Sequence, residues 1–224
     1  LHMVDRLQLL NLQHNRIASI QHLAHLQSLV LLNLSHNSLC GMAGLEHLRS
    51  LRVLLLGRNR IQEMSCLDQL QKLHILDLHD NQICRIQNVS HLSELRVLNL
   101  AGNLISSLEN LQGLEQLREL HLQHNRLSAL ESGDNEGRLS LLGRGNQAIR
   151  TFQEVDCLPS LQRLFLSCNN ISSSWDQVAG LGNLPSLCEL ALDGNPVALE
   201  TWYKQAVLRC LLRLQQLDMK RVTV

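Results

Sequence analysis

The feature that most constrains this chain is a leucine that returns every 22 residues, at Leu7, Leu29, Leu51, Leu73, Leu95, Leu117, Leu139 and Leu161. Another leucine stands three residues after each of these. Eight residues on comes Asn15, Asn37, Asn59, Asn81, Asn103 and Asn125, then Asn169 after a lapse at Gln147. A period of this length requires every repeat to form the same small unit and to bury its apolar side against its neighbours. In LRVLNLAGN, Leu98 and Leu100 alternate with Val97, Asn99 and Ala101, which is the period of a short strand. After the asparagine the apolar residues fall on every third position, as at Ile105, Leu108, Leu111 and Leu114. That spacing suits tight 3₁₀ turns that bring the chain back to begin another parallel strand.

The pattern L-x-x-L-x-L-x-x-N-x-I is that of leucine-rich repeats. It predicts an α/β fold: a right-handed leucine-rich-repeat solenoid with a concave parallel β-sheet, convex 3₁₀ or short helical turns, and a C-terminal helical cap. The asparagine column then belongs to the frame. Where the chain leaves each strand, backbone N–H and C=O groups point inward, and each one buried unpaired costs roughly 1–3 kcal/mol. An Asn amide both donates and accepts, so stacked amides can serve neighbouring repeats.

Composition narrows the function. Aromatic residues make up only 2% of the chain, so the core must be aliphatic. Twenty basic residues offset twenty acidic ones, which argues against nucleic-acid or membrane binding driven by bulk charge. The seven cysteines (Cys40, Cys66, Cys84, Cys157, Cys168, Cys188 and Cys210) form no C-x-x-C pair and cluster at neither end. A reduced, intracellular chain without disulfide-stapled caps is expected. No apolar run is long enough to span a bilayer, and no signal peptide is evident. Because the array begins almost at once after Leu-His-Met, a fragment of a longer protein with a cloning remnant is expected.

Residues 1–195 are read as the array, about nine repeats with 131–160 irregular, and 196–224 as the cap. ESGDNEGR places Gly133 and Glu136 where leucines are due, so this stretch should loop outward. Leu139, Leu142, Ile149, Phe152, Val155 and Leu158 return to phase, although Arg144 and Gln147 occupy framework positions. The segment 139–160 is read as a degenerate repeat; a long excursion from the sixth repeat, with one strand fewer, is the alternative. Pro196 signals a helix entry. Leu199, Tyr203, Ala206, Val207, Cys210, Leu211 and Leu214 then make an apolar stripe that should plug the end of the core, with Trp202 and Tyr203 in packing roles and a last half-strand over 214–219.

The period, together with the ending G-N-P, W-Y-K and L-D-M-K-R-V-T, resembles the intracellular 22-residue leucine-rich-repeat family of the protein phosphatase 1 regulator type. LRVLLLGRNRI (51–61), LDLHDNQI (76–83), LRVLNLAGN (95–103) and LFLSCNNISS (164–173), with the cap segment, are further similar to the leucine-rich-repeat subunits of tubulin polyglutamylase complexes. The stretch from Ser128 to Gln147 departs from that pattern. The resemblance implies a non-catalytic scaffold that helps place a ligase on microtubules. It also implies a cytoplasmic setting at the cytoskeleton, centrosome, basal body or cilium, and protein partners such as tubulin or a tubulin-modifying or centriolar complex.

Partner choice must come from the exposed sheet, because framework columns say nothing about partners. The residue before the second leucine gives Leu9, Leu31, Val53, Ile75 and Val97, then Glu119. With strands about 4.8 Å apart, five apolar side chains in series make a ridge that is a candidate docking surface, unless strand propensity alone selected them. Beside it run Arg52, His74, Arg96 and Arg118, able to attract an acidic segment or else simply solvated charges. A third row holds Leu55, Asp77, Asn99, His121 and Phe165. The expected occupant is an acidic or amphipathic protein segment. A phosphatase regulatory subunit and an RNP adaptor are the alternatives. Eleven histidines invite a metal, but none pairs at i, i+4 with converging further ligands, so no metal, cofactor or small-molecule substrate is expected. A shallow open sheet offers no pocket to hold a nucleophile against a base, so no enzymatic activity is expected.

Overall fold

The structure, a computed structural model, describes residues 6–128, 158–172, 178 and 180–222. Its backbone is one sheet of three-residue strands: β1 (Leu9–Asn11), β2 (Leu31–Asn33), β3 (Val53–Leu55), β4 (Ile75–Asp77), β5 (Val97–Asn99), β6 (Glu119–His121), β7 (Arg163–Phe165) and β8 (Glu189–Ala191). They lie side by side in chain order, parallel and in unslipped register. β9 (Gln216–Leu217) continues the parallel run, and β10 (Lys220–Arg221) turns back antiparallel. The outer turns are closed by single i→i−3 backbone bonds, such as Leu70 N–H to the Leu67 carbonyl at 2.9 Å and Leu73 N–H to that of Leu70 at 3.0 Å. The spacing of three in the sequence therefore encodes consecutive turns.

Four of the strands end in a local side-chain turn, while β3, β6, β7 and β8 are equally short and end in Leu55, His121, Phe165 and Ala191. Asn11, Asn33, Asp77 and Asn99, each the third residue of its strand, accept the N–H two positions on through their side-chain oxygens at 3.0–3.1 Å. This side-chain turn competes with the ladder. The residue that follows the turn is left-handed at His14, His36, Arg58, Asp80, Gly102, His124 and Cys168.

Between sheet and turns lie the leucines. Leu51, Leu54, Leu56, Ile61, Met64, Leu67 and Leu70 of one repeat are all fully buried. Each such side chain contributes about 1.5–3 kcal/mol on leaving water. The amide ladder binds the repeats together: Asn81 donates to the Leu56 and Leu78 carbonyls at 3.1 and 3.0 Å, and its Oδ1 accepts the Ile61 N–H at 2.9 Å. Asn195 of the G-N-P segment, not counted from the sequence, continues the column by bonding Leu166, Leu192 and Ile171. A second ladder, on the outer side, is likewise absent from the reading of the sequence. Residues 22, 44, 66, 88 and 110 are all left-handed, and Asn88 and Asn110 donate to the Met64 and Ile86 carbonyls of the preceding repeat at 2.7 and 2.8 Å.

Two expectations are corrected. β6 is hydrogen-bonded directly to β7, and the Asn169 amide takes the next place in the ladder after Asn125, bonding Leu127 and Leu122. A repeat at 139–160 that inserts its own strand between them is thereby overturned. The segment 131–157, with Gly133, Glu136, Arg144 and Gln147, otherwise lies outside the described residues. β6 and β7 start 44 positions apart, whereas successive strands from β1 to β6 start 22 apart, so the surplus equals one period. The second correction concerns Leu199, which is 85% exposed and lies in a 3₁₀ turn (Pro196–Leu199) instead of the cap helix. That helix, α1, runs Tyr203–Cys210, and it is Tyr203, Val207, Leu211 and Leu214 that close the core.

The equality of surplus and period has a testable consequence. Removing residues 131–152 would bring Val155, Leu158 and Leu161 to the places held by Leu111, Leu114 and Leu117 in the repeat before, with Leu130 in that of Leu108. Halving this connection should contribute about 0.6 kcal/mol of loop-closure entropy. The shortened chain is expected to melt no lower than the parent in a circular-dichroism scan; a cost above about 3 kcal/mol would show that the segment is part of the core.

Candidate functional site: the concave face

Register puts Leu9, Leu31, Val53, Ile75, Val97 and Glu119 into one row across β1–β6, each the Cα partner of the next. Leu9 is 58% exposed, and the other four apolar side chains are half-buried while their strand neighbours Leu32, Leu54, Leu76 and Leu98 are fully buried. The five apolar side chains therefore form a continuous ridge on the open side of the sheet.

The basic column stands next to it. The backbone N–H groups of Arg52, His74, Arg96 and Arg118 each bond the carbonyl one strand earlier at 2.8 Å, at Val30, Arg52, His74 and Arg96 respectively, so these residues keep sheet spacing. Their side chains differ. His74 Nε2 lies 3.1 Å from the Glu94 carboxylate, whereas Arg52, Arg96 and Arg118 are exposed and make no ion pair with any described residue.

The third row divides by chemistry. Asp77 and Asn99 are occupied in the turns that end their own strands, and Asp77 also lies 2.7 Å from His79 Nδ1. A local structural role thus accounts for the polar residues of that row. Leu55 is half-buried beside the ridge. His121 and Phe165 stack with ring centroids 4.6 Å apart. Burial lowers the His121 imidazole below the usual histidine range despite the Glu119 carboxylate 3.6 Å away, so the neutral ring stacks on Phe165 at neutral pH.

Beyond β5 the face changes. Arg163 lies 3.4 Å from Glu119 and 3.6 Å from Glu189, an ionic ladder across β6, β7 and β8. Sequence reading misses Arg163 and Glu189 because a row counted in steps of 22 reaches residue 141 after Glu119, and only the β6–β7 pairing makes Arg163 its neighbour. Among the described residues, no three His, Cys, Asp or Glu side chains gather as metal ligands would, and no helix is long and apolar enough to cross a membrane. At the far end Asp218 Oδ1 accepts from Leu192 N–H at 2.8 Å and from Asp193 N–H at 3.0 Å, replacing a further strand, while Tyr203 donates to it at 3.2 Å. Burial and that carboxylate push the Tyr203 phenol far above its usual range.

Residues 93–133 match the family model described as Leucine Rich repeats (2 copies). Across the described strands the same unit is stacked in register. The chain folds as a leucine-rich-repeat solenoid. The human protein named leucine-rich repeat-containing protein 49 is 51% identical over 51 residues, which is 23% of this chain and 7% of that protein. The chain thus spans only a small part of the length of the curated relatives it matches. An internalin C2 from Listeria monocytogenes superposes with a TM-score of 0.74 at 24% identity, over 98% of this chain and 82% of its own. A chain of the Drosophila melanogaster SNF/U2A′ complex does so with a TM-score of 0.53 at 23% identity, over 66% and 74%. These two likenesses show the fold. The repeats and the repeat-containing relatives indicate a protein–protein interaction scaffold.

Proposed function

We propose that this solenoid is a non-catalytic adaptor of the microtubule cytoskeleton, at the centrosome, basal body or cilium, that holds an acidic segment of a protein partner on its concave face. The observation that carries the reading is an apolar ridge flanked by three exposed arginines that have no acidic partner among the described residues. An arginine fork takes a carboxylate through two parallel hydrogen bonds, and three forks in a row favour a partner with several carboxylates. The acidic tails of tubulin have that chemistry, and the cap and repeat motifs resemble the repeat subunits of tubulin-modifying complexes. Ridge and arginines together select acidic amphipathic chains over merely acidic ones.

Co-sedimentation of the chain with microtubules tests this. The Arg52→Glu, Arg96→Glu, Arg118→Glu triple variant should lose at least about tenfold in affinity, at roughly 1.4 kcal/mol per decade. Proteolytic removal of the tubulin tails should weaken the parent chain equally, and raised salt should weaken it progressively. Binding indifferent to the reversal would remove the proposal.

A further inference from the structure

We infer that the segment lying on the ridge is an amphipathic α-helix running across the strands, with acidic residues on one flank at spacings i, i+7 and i+11. This rests on the concave face being the partner site, and adds the shape and register of what it takes. The argument is one of pitch. Successive ridge residues sit on adjacent strands about 4.8 Å apart, so the five from Leu9 to Val97 span roughly 19 Å. A helix presents one apolar residue per turn of about 5.4 Å, and its stripe i, i+3, i+7, i+10, i+14 spans roughly 21 Å. An extended segment presents one side chain per face every ~6.7 Å, and its five cover roughly 27 Å. The helix stays within about 2 Å of register from end to end, while the extended chain slips by more than a strand spacing.

The arginines fit the same pitch. Arg52 and Arg96 flank strands two apart, roughly 10 Å, and Arg118 lies one strand further, roughly 14 Å from Arg52. On a helix, i+7 rises about 10.5 Å and i+11 about 16.5 Å, both within about 20° of the starting direction, and a guanidinium on its long stem spans the remaining difference. The face itself sets the limit of the helix. After β5 the ridge gives way to the Glu119, Arg163 and Glu189 ladder, whose charges are already paired with one another. Desolvating that ladder beneath an apolar stripe would be unfavourable. The partner helix is thus about four turns long and ends near β6.

The test uses the chain with synthetic fluorescent peptides of about eighteen residues, long enough to be helical. The first carries leucines at the stripe positions and, counted from a separate starting residue k on the flank beside the stripe, glutamates at k, k+7 and k+11. The second is identical but for two central prolines, and the third has lysine for each of those glutamates. In fluorescence anisotropy the first peptide should bind at least tenfold tighter than either other. The triple arginine reversal should weaken it at least tenfold and transfer the preference to the lysine peptide. Equal affinity of the proline peptide, with the arginine dependence kept, would overturn the helix and leave the concave site standing. Failure of all three peptides to bind, or binding that ignores the arginines, would overturn both.

Discussion

Asn81→Ala is expected to destabilise the chain by about 3 kcal/mol, lowering its melting temperature by roughly 6–12 °C. The partners show where the loss arises. The Leu56 carbonyl also accepts the Asn59 amide at 2.9 Å, and the Leu78 carbonyl also accepts that of Asn103 at 3.0 Å, so both keep a donor after the substitution. The Ile61 N–H does not. Its acceptor is Asn81 Oδ1, and Ile61 is fully buried, so one N–H loses its partner in the core. The ladder is redundant for carbonyls and unique for amide hydrogens. Asn15→Ala should therefore cost below about 1 kcal/mol, since Asn15 is exposed and only donates, to Leu12 and Gln13. Asn81→Asp separates the two functions further. It retains the acceptor for Ile61 but turns a carboxylate toward the Leu56, Leu78 and His79 carbonyls. Burial and those carbonyls raise the folded-state pKa of the new acid above the unfolded value of about 3.9. Its charged-form penalty is then full at neutral pH and fades as pH falls through the folded pKa, so the deficit relative to the parent chain should shrink from pH 7 to pH 4. Equal melting of Asn81→Ala and Asn15→Ala would contradict the account of the ladder.

How much of this is legible in the sequence depends on whether a position is fixed by its own repeat or by its neighbours. The strands, the buried leucines, the inner asparagine column and the ridge from Leu9 to Val97 all follow from a period of 22, and the pairing reproduces that row residue for residue. The surplus between β6 and β7 escapes the period because it is one period long. Leu139, Leu142 and Val155 stay in phase whether or not a strand intervenes, and only the wrong chemistry at Gly133, Glu136, Arg144 and Gln147 marks the place. The row through His121 is carried correctly on to Phe165, but the ridge row stops at Glu119, so Arg163 is not recognised as the neighbour of Glu119, nor Glu189 as that of Arg163. Leu199 falls in the plug on sequence grounds because Pro196 can open an α-helix, yet it opens a 3₁₀ turn, and the helical stripe starts one turn later at Tyr203. The outer ladder leaves a signal in the sequence, because Gly44, Asn88 and Asn110 tolerate left-handed backbone and are separated by multiples of 22. Of the candidate site, position is legible and availability is not. Nothing in the sequence distinguishes His74, engaged by Glu94, from Arg52, Arg96 and Arg118, which have no such partner among the described residues.

Gly113→Ala is expected to cost about 3–4 kcal/mol, and Gly102→Ala only about 1–2, although both glycines have positive φ, +84° and +66°. The left-handed backbone disfavours alanine at either site by a similar amount, roughly 1 kcal/mol. What differs is the neighbour. A Cβ on Gly102 would lie 2.1 Å from Asp80 Oδ1, the tip of an exposed side chain that can turn away and give up its 3.2 Å pairing with Arg58. An exposed pair of this kind contributes below about 1 kcal/mol. A Cβ on Gly113 would lie 2.0 Å from the Ser90 carbonyl oxygen and 3.0 Å from its carbon. That group is backbone of the adjacent repeat, and it cannot yield unless the outer turns separate there. The separation would loosen the core beneath, where Val89, Leu92, Leu111 and Leu114 are fully buried. Urea midpoints at unchanged slope measure the two costs, and equal shifts would mean that the outer backbone gives way as readily as a surface carboxylate. Gly113 lies in the outer turns, far in the repeat from the ridge, so the alanine variant that remains folded should still bind the helical peptide with parental affinity. Stability on this solenoid is set by repeat-to-repeat contacts on the outer side and in the core, whereas the proposed recognition draws on the side chains left open on the sheet.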